Sequence, residues 1–205
     1  ILSGLTYDSV YIPIWNTMVR FGYFIFHTYL LSRLLETIKI VQDSAFHDPL
    51  TKVANWRYFE ASSSSLIKSA IRENRKLSMA YIDVDNFKEI NDEYGHGTGD
   101  EVLICLATIF KEEIRPQDLV ARLGGDEFSI ILYNTNVEIT TEIMHRIISH
   151  VKVEMTNRNW NITLSVGVVV FSLFTSSLGP MLKTVDDLMY EVKKNGKNNI
   201  IIEEQ

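Results

Sequence analysis

Two runs of strand-forming residues, about 118–122 and 127–133, are separated by so little chain that only a tight turn joins them, and Gly124 and Gly125 lie in that turn. The glycines permit positive φ at the tip and close approach of backbone to a ligand. A hairpin in mid-chain commits the core to antiparallel pairing, and the flanking segments alternate in type. Upstream, residues 55–73 read as a helix and Leu77 to Asp83 as a short buried strand ending in acid, followed by helical spacing over 86–94 and 98–113. Downstream, Ile139, Ile143, Ile147 and Val151 mark a helix, and Ile162, Leu164, Val166, Val168 and Val170 alternate as a strand. A helix over about 184–195 and a strand over about 198–203 close the chain. The predicted class is α+β, a mixed, largely antiparallel central sheet flanked by helices and preceded by an N-terminal helix.

At 205 residues the chain allows one domain plus an extra segment, or two very small domains. Apolar residues make up 46% and charged residues 22%, with 10 Gly and 4 Pro, which excludes low-complexity and collagen-like chains. The formal charge of −6 argues against nucleic acid as the main partner, so phosphate binding must be local. A single cysteine, Cys105, excludes an internal disulfide and suits a reducing cytosol. It sits among Val102, Leu103, Leu106 and Ala107 as a small buried hydrophobe. The first residue is Ile1 rather than Met, as expected of a piece of a longer protein.

Residues 10–31 are strongly apolar and aromatic, interrupted by Pro13, Asn16 and Arg20. A bilayer crossing needs about 20 apolar residues. Two readings stay open: a membrane-crossing segment with Arg33 and Lys39 on its cytoplasmic side, or a hydrophobic helix packed on a partner. Leu31, Leu34, Ile38, Val41 and Ala45 then continue at alternating spacings of three and four, a short coiled-coil seam consistent with a dimerising stalk, although a plain amphipathic helix gives the same spacing. Pro49 breaks the helix. The expected division is therefore an N-terminal helix over 1–46 and a second domain over 47–205.

Two constellations carry chemistry. In the first, Asp83 and Asp85 end a strand and lead into Phe87, Lys88, Asn91, Asp92, Gly95, His96, Gly99 and Asp100. Closely spaced carboxylates at a strand end offer hard oxygen ligands of the kind that hold Mg²⁺ with substrate phosphates, though a solvated turn also explains them. In the second, Arg122, Leu123, Gly124, Gly125, Asp126, Glu127 and Phe128 place two acids beside the turn glycines. Such a turn repels phosphate unless a cation intervenes; by itself it is also an ordinary tight turn with a polar rim.

With these blocks in order, the chain resembles the GGDEF-domain diguanylate cyclases from about Asp48 to Asn199. The opening block is Asp48, Pro49, Leu50, Thr51, Asn55, Arg57 and Phe59; Thr163, Ser165 and Gly167, then Tyr190, Lys193, Gly196 and Asn198, follow the acidic block and the signature turn. The resemblance implies a nucleotidyl-cyclase, palm-like fold and a reaction joining two GTP into cyclic di-GMP with release of two pyrophosphates across a homodimer. It implies Mg²⁺, with Mn²⁺ as the alternative, held by Asp83, the Val84 carbonyl and Asp126, with Asp126, Glu127 and Lys88 as the catalytic groups. Asn91, His96 and Asp100 correspond to the guanine site, where helix capping is the competing role for Asn91 and Asp100. Gly124, Gly125, Lys193 and Lys197 correspond to the phosphate site. At 197 the family usually has Arg, and Lys keeps the charge without the bidentate fork. Lys52, Val53, Trp56 and Val192 replace the usual Gly, Leu, Arg and Ala.

Arg115 and Asp118, with Arg146 from the next helix, resemble the family's inhibitory product site; unaided, Arg115 and Asp118 would read as a surface ion pair. The resemblance further implies a cytoplasmic catalytic domain, with the apolar run leaving anchorage in the bacterial inner membrane open. The alternative function is a catalytically weak receptor for GTP or cyclic di-GMP.

Overall fold

The computed structural model describes residues 11–172 and 177–205. By its contacts the chain divides after Ser44 into two compact units.

The first element is a single helix, α1 (Tyr11–Phe46). Pro13 lies within it without interrupting it. Val10, the first residue of the apolar run, lies outside the described residues. Trp15, Met18, Phe21 and Phe24 are each about two-thirds exposed, and the apolar side chains surround the helix rather than forming one stripe. Among the described residues no helix is both long and apolar enough to cross a membrane, so the membrane-crossing reading of residues 10–31 is not supported. Asn16 and Arg20 fall inside the window that would have to be continuously apolar.

The second unit runs β1 (Ala54–Asn55), α2 (Trp56–Glu73), β2 (Leu77–Asp85), α3 (Phe87–Tyr94), α4 (His96–Glu113), β3 (Leu119–Gly124), β4 (Glu127–Tyr133), α5 (Val137–Asn157), β5 (Thr163–Phe171), α6 (Leu178–Lys194) and β6 (Asn199–Glu204). The six strands form one sheet in the order β1-β3-β4-β2-β5-β6. The three central pairings are antiparallel and the two outer ones, β1 with β3 and β5 with β6, are parallel. The predicted mixed, largely antiparallel sheet is what the chain adopts.

Strand alternation sorts the core into two layers. Ala80, Ile82 and Val84 of β2, with Phe128, Ile130 and Leu132 of β4, face Val102, Leu106 and Phe110 of α4 and Ile143, Met144 and Ile147 of α5. Leu77, Met79 and Tyr81, with Ile131 and Val169, face Phe59, Ile67 and Ala70 of α2 and Met181, Val185 and Met189 of α6. All nine residues of β2 are buried, as a central strand covered on both faces requires.

Two local devices fix the helices. Asn55 caps α2 by accepting the Tyr58 N–H at 3.0 Å while its amide donates to the Ala45 carbonyl at 2.9 Å. Gly167 lets α6 rest directly on β5: a Cβ there would lie 2.3 Å from the Val185 carbonyl oxygen and 2.4 Å from the Met189 nitrogen. The sequence placed the start of α6 near 184, but the helix begins at Leu178. Gly179 and Pro180 occupy its first turn, where they are tolerated, rather than preceding it as breakers.

Candidate active site

β2 delivers Asp83 to the sheet end at which the β3–β4 hairpin turns. Asp83 pairs across the ladder with Glu127 of β4. The Val84 N–H extends that ladder into the turn by donating to the Asp126 carbonyl at 3.2 Å. Asp126 is thereby held beside the end of β2, and Asp83 and Asp126 line the same open cleft of about 420 Å³. The cleft is also lined by Val84, Asp85, Asn86, Lys88, Lys193 and Lys197, and its volume suits a nucleotide-sized ligand.

The turn differs from expectation in one detail. Gly124 ends β3 next to an irregularity in the strand register, and only Gly125, at φ +49°, has positive φ. The tip is therefore Gly125 and Asp126, which brings the carboxylate one position nearer the apex.

The charge of the cleft is divided. Burial raises the Asp83 carboxyl above its usual value, the neighbouring Asp126 and Asp85 add to the rise, and the Lys193 ammonium opposes it. Lys193 Nζ lies 2.6 Å from Asp83 Oδ2, a contact that does not fully offset the cost of removing Asp83 from water. Burial likewise raises Glu127, with Asp83, Asp126 and Asp186 pushing the same way and a hydrogen bond from Tyr81 opposing. The phenol of Tyr81 is raised in turn, by burial first and then by Glu127 and Asp186.

Among the described residues no three of His, Cys, Asp and Glu converge to hold an ion unaided. The donor set at the turn, two carboxylates beside a backbone carbonyl, nevertheless fits Mg²⁺, which takes few protein ligands and completes its shell with water and phosphate. Mutual repulsion of the acids and the cation already drawn to Asp83 both mark the place where positive charge is accommodated.

Asp85, grouped with Asp83 on sequence, has a different task. It is 2% exposed and accepts from Thr163 Oγ1 and Ser165 Oγ, both at 2.7 Å, and from the Asn198 N–H at 3.0 Å. It ties β2 to β5 and to the loop before β6, which carries Lys197. That lysine, at φ +64°, donates to Asn86 Oδ1 at 3.1 Å across the cleft.

Lys88 is exposed at the cleft wall, while Asn91, His96 and Asp100 stand on the adjoining α3–α4 pair, outside its lining. Neither Asn91 nor Asp100 caps a helix, because the caps of α3 and α4 are Asn86 and Gly95.

A connection invisible in the sequence supports the turn from behind. Arg122 donates through Nε and Nη2 to the Gly125 carbonyl at 2.9 and 2.6 Å, and through Nη1 to Asp48 Oδ1 at 3.1 Å. Asp48 Oδ1 also accepts the Thr51 N–H at 2.8 Å and its hydroxyl at 2.6 Å.

A separate pocket of about 350 Å³ contains Arg115 and Asp118 with His47, Lys52, Tyr58 and Lys111. Arg115 and Asp118 do not form the surface ion pair. Asp118 accepts the Arg115 backbone N–H at 3.0 Å and the Tyr133 N–H at 2.9 Å. Arg146 is not brought to this pocket; its guanidinium is taken by the side chain and carbonyl of Glu113.

Comparison with known proteins identifies the family. Residues 45–199 match the family model for the diguanylate cyclase GGDEF domain. A probable diguanylate cyclase of Escherichia coli, DgcC, is 32% identical over 96% of this chain and 56% of its own length, and a diguanylate cyclase of Vibrio cholerae is 36% identical over 77% of this chain and 50% of its own. The crystal structure of the coiled coil and GGDEF domain of DgcB from Caulobacter crescentus, in complex with c-di-GMP, superposes with a TM-score of 0.78 at 25% identity, covering 88% of this chain and 97% of that one. The GGDEF domain of PA1120 from Pseudomonas aeruginosa gives 0.68 at 30% identity over 76% and 93%. The chain spans 39%, 46% and 29% of the lengths of three other curated relatives. The chain belongs to the diguanylate cyclase GGDEF-domain family.

Proposed function

We propose that this chain is a working diguanylate cyclase that condenses two GTP molecules into cyclic di-GMP and two pyrophosphates at a homodimer. The observation that carries this reading is the placement of Asp83, Asp126, Lys193 and Lys197 around one cleft at a glycine turn. Each protomer binds one GTP. In each half-reaction the 3′-hydroxyl of one GTP attacks the α-phosphorus of the other, the new P–O bond replaces the bond to pyrophosphate, and the hydroxyl proton leaves. Asp126 accepts that proton with Glu127 beside it. Lys88 faces the charge developing on the phosphoryl group, and Lys193 and Lys197 hold the departing phosphates next to the bare turn of Gly124 and Gly125. Asn91, His96 and Asp100 take the guanine. An amide and a carboxylate match its donor and acceptor edge, and adenine would leave them unpaired.

Mg²⁺ would be held by Asp83, the Val84 carbonyl and Asp126, and Mn²⁺ suits the same donors. The ion supplies neutralisation of the triphosphate and of the charge formed in the in-line displacement.

We assign the catalytic domain to residues 47–205, acting in the cytoplasm, and residues 1–46 to a stalk through which two copies associate. Cyclic di-GMP binds back at Arg115 and Asp118 and slows turnover. In this assignment Arg146 reaches the product only by exchanging its Glu113 partner.

The test is incubation with GTP and Mg²⁺ followed by chromatography of the nucleotides. A cyclic di-GMP peak that disappears in Asp126→Ala is the expected result. A dimeric wild type that binds GTP and forms no product is a receptor instead. For the inhibitory site, added product should slow the wild type and not Arg115→Ala.

A further inference from the structure

The region around Asn91 contains a feature with no counterpart among the assigned roles. Asn91 lies in α3, half-buried, and its side chain crosses to the first turns of α4, where residue 99 is a buried glycine. A Cβ on residue 99 would lie 2.1 Å from Asn91 Oδ1, 3.0 Å from Asn91 Cγ and 3.2 Å from Phe87 Cζ. The carboxamide thus occupies the volume that any other residue at 99 would fill. Gly99 is an ordinary helical residue without positive φ, so conformational freedom does not account for the glycine. Glycine in a helix lowers its stability relative to alanine, and the space given to Asn91 is the compensation visible in the structure.

From this we infer that Gly99 is a positioning residue for nucleotide specificity: its bare Cα sets where the Asn91 carboxamide stands and so tunes selection of the guanine base. This inference rests on the assignment of Asn91 to the guanine site. The 2.1 Å contact is with the end of a flexible side chain, not with backbone. A methyl at 99 therefore displaces the amide more readily than it disturbs the α3–α4 packing. Asp100 is the next residue, so Gly99 couples the two polar groups of the base site: Asn91 packs against the same helical turn that carries the carboxylate.

The test is a double-mutant cycle on the intact chain with Gly99→Ala, Asn91→Ala and both together. The readouts are the KM and kcat for GTP and the calorimetric affinity for a non-reacting GTP analogue and its inosine counterpart, which lacks the 2-amino group. Gly99→Ala is expected to fold and to raise KM for GTP on the order of tenfold, with a smaller change in kcat and a narrowed preference for the guanine analogue. In the Asn91→Ala background the same change should add almost nothing, because the atoms it displaces are gone.

Additive effects, or a Gly99→Ala protein with unaltered guanine preference, would overturn the inference. So would a Gly99→Ala chain that unfolds while the double variant folds, since residue 99 would then serve folding. If Asn91→Ala weakens the guanine analogue and Gly99→Ala does not, only the positioning role falls. If Asn91→Ala has no effect on the analogue, the guanine assignment of Asn91 falls and the positioning role with it.

Discussion

At Gly167 the fold depends on a missing side chain. The two atoms nearest a Cβ there belong to the α6 backbone and the third is Leu188 Cβ, none of which can rotate aside. Gly167→Ala should destabilise the catalytic unit by about 3 kcal/mol, lowering the thermal midpoint by roughly 6–12 °C for a unit of this size; calorimetry checks it. Gly99→Ala, whose obstacle is a side-chain tip, should cost much less stability. A second prediction concerns the acids. Chelation of divalent ions should abolish product formation while leaving the fold intact by circular dichroism, and Mg²⁺ should restore it. Asp83→Asn should remain inactive after ion is returned. The places of Asp83 and Asp126 were legible in the sequence because a strand end and a hairpin tip each place a side chain by local rules, while their roles follow only from the resemblance. Asp85 was not. Its partners Thr163, Ser165 and Asn198 are 78 to 113 residues distant, so nothing near it in the chain distinguishes a buried tie from a free ligand.

Between elements, the informative contact is the chain from Asp48 through Arg122 to the Gly125 carbonyl, which joins the loop before β1 to the glycine turn. Asp48 and Arg122 both stand in recognisable sequence blocks but their connection does not, because a guanidinium aimed at a backbone carbonyl leaves no pattern in side-chain types. Arg122→Lys keeps the charge and loses the fork that holds Gly125 and Asp48 together. It should lower kcat on the order of 100-fold, the scale expected for a displacement of about 1 Å in the turn, and steady-state kinetics with product chromatography measures it. The pair also has a pH signature. Burial raises the Asp48 carboxyl, but the hydrogen bonds from Thr51 and Arg122 outweigh burial and hold it below its usual 3.8. With the folded value depressed, the stabilisation is present above the unfolded pKa and is lost as pH falls through the folded one. The stability difference between wild type and Arg122→Gln should therefore be constant from about pH 6 to 5 and shrink toward about pH 3. Denaturant melts across that range test the sign; a gap that widens on acidification contradicts it. The early start of α6 belongs to this scale too: Gly179 and Pro180 have opposite meanings before a helix and inside its first turn, and local sequence does not separate the two.

For the molecule as a whole, the two units pose different physical problems. The catalytic unit buries its apolar residues in two layers around β2, whereas α1 leaves Trp15, Phe21, Phe24, Leu31 and Leu34 more than half exposed. A helix apolar on every side is stable in water only when other surfaces cover it. The proposed function assigns that cover to a second copy, since the proposed reaction joins two GTP and each protomer is proposed to bind one. The stalk would then control turnover through concentration. Specific activity of the intact chain should fall when protein is diluted below the dimer dissociation constant, rather than staying constant. Leu31→Glu with Leu34→Glu, placed on the predicted seam, should move that fall to higher protein concentration while leaving GTP affinity per chain unchanged. Sedimentation and initial rates measured on the same dilution series make the comparison direct. If activity stays proportional to enzyme while sedimentation shows monomer, one chain suffices and the two-site scheme is wrong. If the double variant remains dimeric and active, association runs through the catalytic unit and α1 must be covered by something else.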